Sequence, residues 1–249
     1  MPRQDLYLES DWMNAAGMLG YAPAPARSLI PETMGAFVTN PISLGPRTPA
    51  SERCLMRYPG GVLLHSGLPN PGLSRVLRQY GARWKQSRLP VWVHLIGTRP
   101  EEIQPMVRRL EEREGISAIE LSLPPEANPE ESLALVESGL GELPLVLHLP
   151  LTEARAPWLA KLSELGVSAV SLGAPRGALP GSPGRQQYGR LYGPGLFPLM
   201  LAAVRDTQPL GLPVIAGAGI YYRQDAQALR EAGAWAVQLD TVLWRGWLE

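Results

Sequence analysis

The sequence predicts one parallel (β/α)8 barrel over residues 1–249, an α/β fold, on three observations. Strand-sized apolar runs alternate with segments of helical periodicity, the runs number eight, and the length suits closure of a single barrel. One domain is therefore expected across the whole chain.

The first strand falls around Met13 to Ala16 and the second at Ala36 to Val38. Runs at Val91 to Ile96, Ala118 to Leu121, Leu145 to Leu149, Ala169 to Leu172, Pro213 to Ala216 and Ala236 to Leu239 supply the remaining six. These runs are rich in Val, Ile and Leu, the pattern of parallel strands covered on both faces. Helical periodicity marks Glu101 to Glu114, Glu130 to Gly139, Pro157 to Leu165, Pro194 to Asp206 and Arg223 to Ala232. A helix between strands acts as the crossover that keeps them parallel, and eight such strands close around a side-chain-filled interior. An open doubly wound sheet is the alternative arrangement of the same elements. Two stretches dense in Pro, Gly and Ser, Gly45 to Gly61 and Pro175 to Tyr188, break the alternation and read as excursions at the barrel mouth.

Composition narrows the function classes. The 23 basic residues balance 23 acidic ones, which removes the electrostatic case for nucleic acid or an anionic membrane as partner. The apolar runs are too short to cross a bilayer and Met1 to Glu9 lacks the layout of a secretion signal, so a soluble, cytoplasmic protein is expected. Cys54, the single cysteine, excludes an intrachain disulfide and a multi-cysteine metal site, and reads as a buried or merely tolerated thiol, with a nucleophile as the alternative. No Walker loop, His-Glu-x-x-His or nucleophile elbow occurs. Gly217-Ala-Gly-Ile220 acquires meaning from its place between an apolar strand and a helix, where barrel enzymes hold phosphate with backbone amides.

Seven segments taken in order resemble the dihydroorotate dehydrogenase family. They are Asn14-Ala-Ala-Gly17-Met-Leu-Gly20-Tyr21; Gly35-Ala-Phe-Val-Thr39-Asn40 with Pro46-Arg47; Ser66-Gly-Leu68-Pro-Asn70-Pro-Gly72; Ile119-Glu-Leu121-Ser122; Gly189-Arg-Leu-Tyr-Gly193-Pro194; Pro213-Val-Ile-Ala-Gly217-Ala-Gly219-Ile220; and Val237-Gln238-Leu-Asp240-Thr241. The resemblance implies an FMN-dependent barrel that oxidises dihydroorotate to orotate in pyrimidine biosynthesis. It places Ala16, Gly17, Asn40, His94, His148, Arg190, Ala218, Gly219, Asp240 and Thr241 in the cofactor site, and His65, Leu68, Asn70 and Ser122 in the substrate site.

The departures fall on the chemistry. The family's Cys or Ser base follows the fourth strand, where this chain reads Ser122-Leu123-Pro124-Pro125-Glu126. Proline has no side-chain acid or base, which leaves Glu126 as a substitute carboxylate or a solvated one. Asn40 and His148 stand where the family has flavin-contacting lysines; Asn carries no charge and His only when protonated. His148 is the second candidate catalytic group.

Two further expectations follow. His65, His94 and His148, the only 3 histidines, would converge at the mouth, where they could ligate zinc with Glu120 or water, or simply hydrogen-bond one another. Asp240 and Arg190 replace glycines beside the family's phosphate cup. They could close it as an ion pair, point to solvent, or leave Arg190 to bind phosphate. Three classes stay open: a barrel without flavin and without orotate-forming activity that serves as a binding or structural partner, an FMN oxidoreductase acting on dihydroorotate or another small substrate, and a metal-dependent enzyme. A small-molecule ligand is the expected partner. The Trp244-Arg-Gly-Trp247-Leu248 tail and the resemblance suggest a homodimer, with packing of the tail on its own barrel as the alternative.

Overall fold

A computed structural model describes residues 4–23, 34–50, 55–181 and 184–248; Cys54 lies outside them. The strands in chain order are β1 (Trp12–Asn14), β2 (Phe37–Val38), β3 (Leu55–Tyr58), β4 (Gly61–Leu64), β5 (Val91–Ile96), β6 (Ile116–Ser122), β7 (Leu145–Pro150), β8 (Ala169–Gly173), β9 (Arg176–Pro180), β10 (Gln186–Tyr192), β11 (Val214–Ala216) and β12 (Ala236–Leu239). The helices are α1 (Leu73–Lys85), α2 (Pro100–Glu111), α3 (Pro129–Gly139), α4 (Leu162–Leu165), α5 (Phe197–Thr207), α6 (Arg223–Glu231) and α7 (Val242–Arg245).

Eight parallel strands form one sheet in the order β1-β12-β11-β8-β7-β6-β5-β2, and a parallel Met13–Ala36 bridge joins its two ends. This is the expected (β/α)8 barrel. Its seam is short, and a side chain reinforces it: buried Asn14 donates from Nδ2 to the Val38 carbonyl (2.6 Å) and accepts from the Val38 amide at Oδ1 (3.0 Å). A carboxamide offers the same donor and acceptor as a peptide unit, so Asn14 continues the ladder where the strands have run out.

Alternation along each strand divides the core in two. Met13, Ala36, Val38, Trp92, Ala118, Val146, Ala169, Ile215 and Ala236 form a dry plug inside the barrel, while the opposite faces of the same strands meet the helices in a larger outer layer. The helices form where the 3.6-residue period places them. In α2 the buried Ile103, Met106, Val107 and Leu110 make one stripe, and α3 starts on an Asn128–Glu131 capping box. The segments expected as helices at Pro157 and Pro194 open with a 3-10 turn before α4 and α5.

The described parts of the two Gly- and Pro-rich excursions are more ordered than their composition suggests. Together with the residues that follow each, they supply β3, β4, β9 and β10, a separate antiparallel sheet in the order β3-β4-β10-β9. Its register sets Arg190 opposite Leu64 and Arg176. Among the described residues, no helix is long and apolar enough to cross a membrane.

Candidate functional site

Two residues further along five of the inward-facing rows, the dry plug gives way to polar side chains. Trp92 is followed by His94, Ala118 by Glu120, Val146 by His148, Ala169 by Ser171 and Ala236 by Gln238, and all five polar groups are buried. Strand register pairs His94 with Glu120 and His148 with Ser171.

Their hydrogen bonds run in one direction. Glu120 accepts from His94 Nδ1 (2.5 Å) at Oε2 and from Gln238 Nε2 (2.6 Å) at Oε1. An ionised carboxylate can only accept, which fixes the Gln238 amide with its Oε1 toward Ser171. Ser171 Oγ donates to that oxygen (3.0 Å) and therefore accepts from His148 Nδ1 (3.0 Å). His148 is thereby the Nδ1–H tautomer, and its Nε2 lone pair takes a hydrogen bond from Arg190 Nη1 (3.3 Å). The chain from Arg190 through His148, Ser171 and Gln238 ends on Glu120, with His94 donating from the other side.

Burial alone would raise the Glu120 carboxyl, but the His94 hydrogen bond and charge, then His148 and the Gln238 amide, hold it down at about 2. His148 is lowered to about 3, first by burial and then by Arg190 and His94, against the attraction of Glu120. The imidazole is thus neutral at neutral pH, as its tautomer requires. Two glycines make room for the chain. A Cβ on Gly173 would lie 2.3 Å from His148 Cε1, and one on Gly217 3.1 Å from Gln238 Oε1.

Near the mouth, Asp240 follows β12 and is buried. Burial raises its carboxyl to about 7, against hydrogen bonds from the Thr241 hydroxyl and the Thr241 and Val242 amides. Its Oδ2 has no hydrogen-bond partner among the described residues, and neither do Ser122 Oγ and His94 Nε2. Tyr221 and Thr241 hydroxyls meet at 2.5 Å. Tyr192, buried on β10, feels both Arg190 and Asp240: burial raises its hydroxyl, Arg190 lowers it through charge and a hydrogen bond, and Asp240 raises it.

The structure corrects two expectations. Arg190 makes no ion pair with Asp240 among the described residues, because its guanidinium turns into the barrel toward His148 and Tyr192. Three histidines do not converge as metal ligands either. His94 and His148 rings meet edge to face with centroids 5.4 Å apart, but no group of three or more His, Cys, Asp or Glu among the described residues could hold a metal ion. Glu120 and Ser171 take the two Nδ1 atoms, and His65 stands apart, half-buried after β4.

The other expected positions divide by their bonding. Asn40 ties its Oδ1 to the Gly20 amide (3.0 Å), and Asn70 spends its carboxamide on Ser43, Leu68 and Gly72, so both shape loops. Leu68 holds a left-handed φ of 53° within that turn. Ala16 and Gly17 lie half-buried beyond β1, and Ala218 and Gly219 are buried beyond β11. Glu126 is exposed on the β6–α3 loop, apart from the polar chain. Sequence reasoning missed Ser171, Gln238 and Tyr192.

FMN, which the sequence resemblance implies, fits these residues poorly. A phosphate at the ends of β11 and β12 would need free amides and no adjacent anion. The Asp240 carboxyl already engages the Thr241 and Val242 amides, and beside a phosphate it would be held protonated.

No protein-family model matches the chain. Comparison with curated proteins finds similarity along almost its whole length. The catalytic subunit of dihydroorotate dehydrogenase B (NAD(+)) from Pyrococcus furiosus is 28% identical over 260 residues, 95% of this chain and 84% of that protein. The proteins of the same description from Citrifermentans bemidjiense (28% over 250 residues; 92% and 82%) and Thermococcus kodakarensis (27% over 266 residues; 97% and 86%) are similar in the same way.

Proposed function

Taking the chain as a diverged relative of the dihydroorotate dehydrogenase family, we propose that it is a dihydroorotate dehydrogenase-like barrel that has left flavin-dependent orotate formation and holds a small polar ligand at its mouth. The observation that carries this reading is the Asp240 carboxyl seated on the Thr241 and Val242 amides. Buried anions are costly, and a phosphate next to a carboxylate of folded pKa about 7 would force that group to stay protonated. The β6–α3 loop supports the same reading. It offers Leu123, Pro124 and Pro125 after Ser122, and its one acid, Glu126, faces solvent. Loss of a general base alone costs about 10²- to 10⁴-fold in rate.

Retention of FMN chemistry is the second reading, favoured by similarity to dihydroorotate dehydrogenase B catalytic subunits over 92% to 97% of this chain. The absorption spectrum of the purified protein, followed by dihydroorotate oxidation with a dye acceptor in added FMN, separates the two. A colourless protein without turnover is the expected result. Stoichiometric flavin with robust turnover would overturn the proposal.

A further inference from the structure

Arg190 is a half-buried guanidinium that makes no ion pair among the described residues. It donates to two neutral acceptors, His148 Nε2 and the Tyr192 hydroxyl. A guanidinium binds carboxylates through two parallel hydrogen bonds, and a neutral imidazole nitrogen at 3.3 Å is a weak substitute for such a partner. Ser122 pairs in register with His148 on the neighbouring strand, faces the same interior and leaves its buried Oγ without a partner among the described residues. Buried hydroxyls are seldom left unpaired without cause.

We propose that Arg190, His148 and Ser122 form a binding site for a small carboxylate that carries an O–H or N–H donor next to its carboxyl group. The Arg190 guanidinium takes the carboxylate, releases Nε2 of His148, and the freed lone pair accepts the ligand's adjacent donor. Ser122 Oγ completes the set from β6. The polar chain supplies the selectivity: Glu120 orients Gln238, Gln238 orients Ser171, and Ser171 holds the proton of His148 on Nδ1. Nε2 thus meets the ligand as an acceptor. A ligand lacking the donor would leave that acceptor unpaired in a buried place, which is costly. The charged and titratable groups facing His148 are Glu120 from β6, His94 from β5 and Arg190 from β10. A carboxylate that neutralises Arg190 removes one of the charges that make the imidazole a poor acceptor.

The site rests on the reading above that no flavin covers this end of the barrel, and the test separates the two. Purified protein whose spectrum has been recorded is labelled with ¹⁵N-histidine and titrated with glycolate and, separately, acetate. Glycolate is expected to bind about tenfold more tightly than acetate, the worth of one added hydrogen bond, and to move the Nε2 resonance of His148 while Nδ1 stays protonated. Arg190→Gln should abolish both affinities, and Ser122→Ala should weaken glycolate severalfold. Equal affinity for the two anions, binding unchanged in Arg190→Gln, or no binding of either overturns the site. The flavin spectrum judges the parent reading independently of these outcomes.

Discussion

Arg190 Nη1 lies 3.3 Å from Nε2 of His148, so the cation from the mouth sheet caps the polar chain that ends on Glu120 inside the barrel. The contact explains why a strand outside the barrel matters to its interior. Arg190 is half-buried on β10, and its Nη1 reaches across to His148. Glu120 and Arg190 are opposite charges held apart by neutral groups whose hydrogen bonds all point toward the carboxylate. Each such bond is strengthened by the charge at its end.

Gly173 should tolerate no side chain. A Cβ there would sit 2.3 Å from His148 Cε1, and the imidazole has Ser171 on one side and Arg190 on the other. Gly173→Ala is expected to cost about 1–3 kcal/mol and to displace the His148 ring. Denaturation midpoints and the histidine ¹⁵N spectrum report both; unchanged histidine resonances would show that the ring has room.

Asn14 should be a stability residue. Its carboxamide makes both hydrogen bonds to Val38 at the seam where β1 and β2 share a single bridge. Asn14→Ala leaves the Val38 amide and carbonyl without these partners, a loss of about 2–4 kcal/mol. Chemical denaturation measures it, and hydrogen exchange should quicken at Val38. A loss under 1 kcal/mol would mean the seam closes without it.

The barrel was legible because its signal is periodic. Eight apolar runs mark eight strands, and family-like segments lie at their ends. The mouth sheet was hidden because its strands are short and sit among Gly- and Pro-rich turns, and the β4–β10 pairing that joins its two hairpins links segments over a hundred residues apart, which leaves no local trace. The polar chain did leave a trace. Ala118-Ile-Glu120, Ala169-Val-Ser171 and Ala236-Val-Gln238 each put a polar residue two places after an alanine in an apolar strand. That shared offset could have identified Ser171 and Gln238 beside Glu120. The direction of Arg190 could not be read, since either face of β10 was open to it.

Glu120 should dominate acid stability together with His148. Folding depresses Glu120 to about 2 from 4.5 and His148 to about 3 from 6.5. The unfolded chain therefore binds more protons in acid, so their stabilisation is present above pH 6.5 and is lost as pH falls toward 3. Glu120→Gln leaves His94 without its carboxylate and should cost about 3–5 kcal/mol at pH 7. It should also flatten the acid limb of a stability profile measured by denaturant; an unchanged limb would assign acid unfolding to other groups.

Asp240 should act in the opposite sense. Its folded pKa of about 7 exceeds the ordinary 3.8, because burial penalises the charged form more than the Thr241 and Val242 contacts favour it. Between those values the folded chain binds more protons than the unfolded one, so the contribution of this group falls as pH rises from 3.8 to about 7. A shift of about three units corresponds to about 4 kcal/mol at most. Asp240→Asn keeps an oxygen for the two amides and removes the titration. The variant should match the parent near pH 4 and exceed its stability by a few kcal/mol at pH 8, as denaturant midpoints at the two values would show. The same substitution lifts the repulsion that a phosphate would meet there. If the variant were no more stable at pH 8 than at pH 4 relative to the parent, the carboxyl would have to be stabilised as an anion, and the case against a phosphate beside it would rest on that charge being permanent.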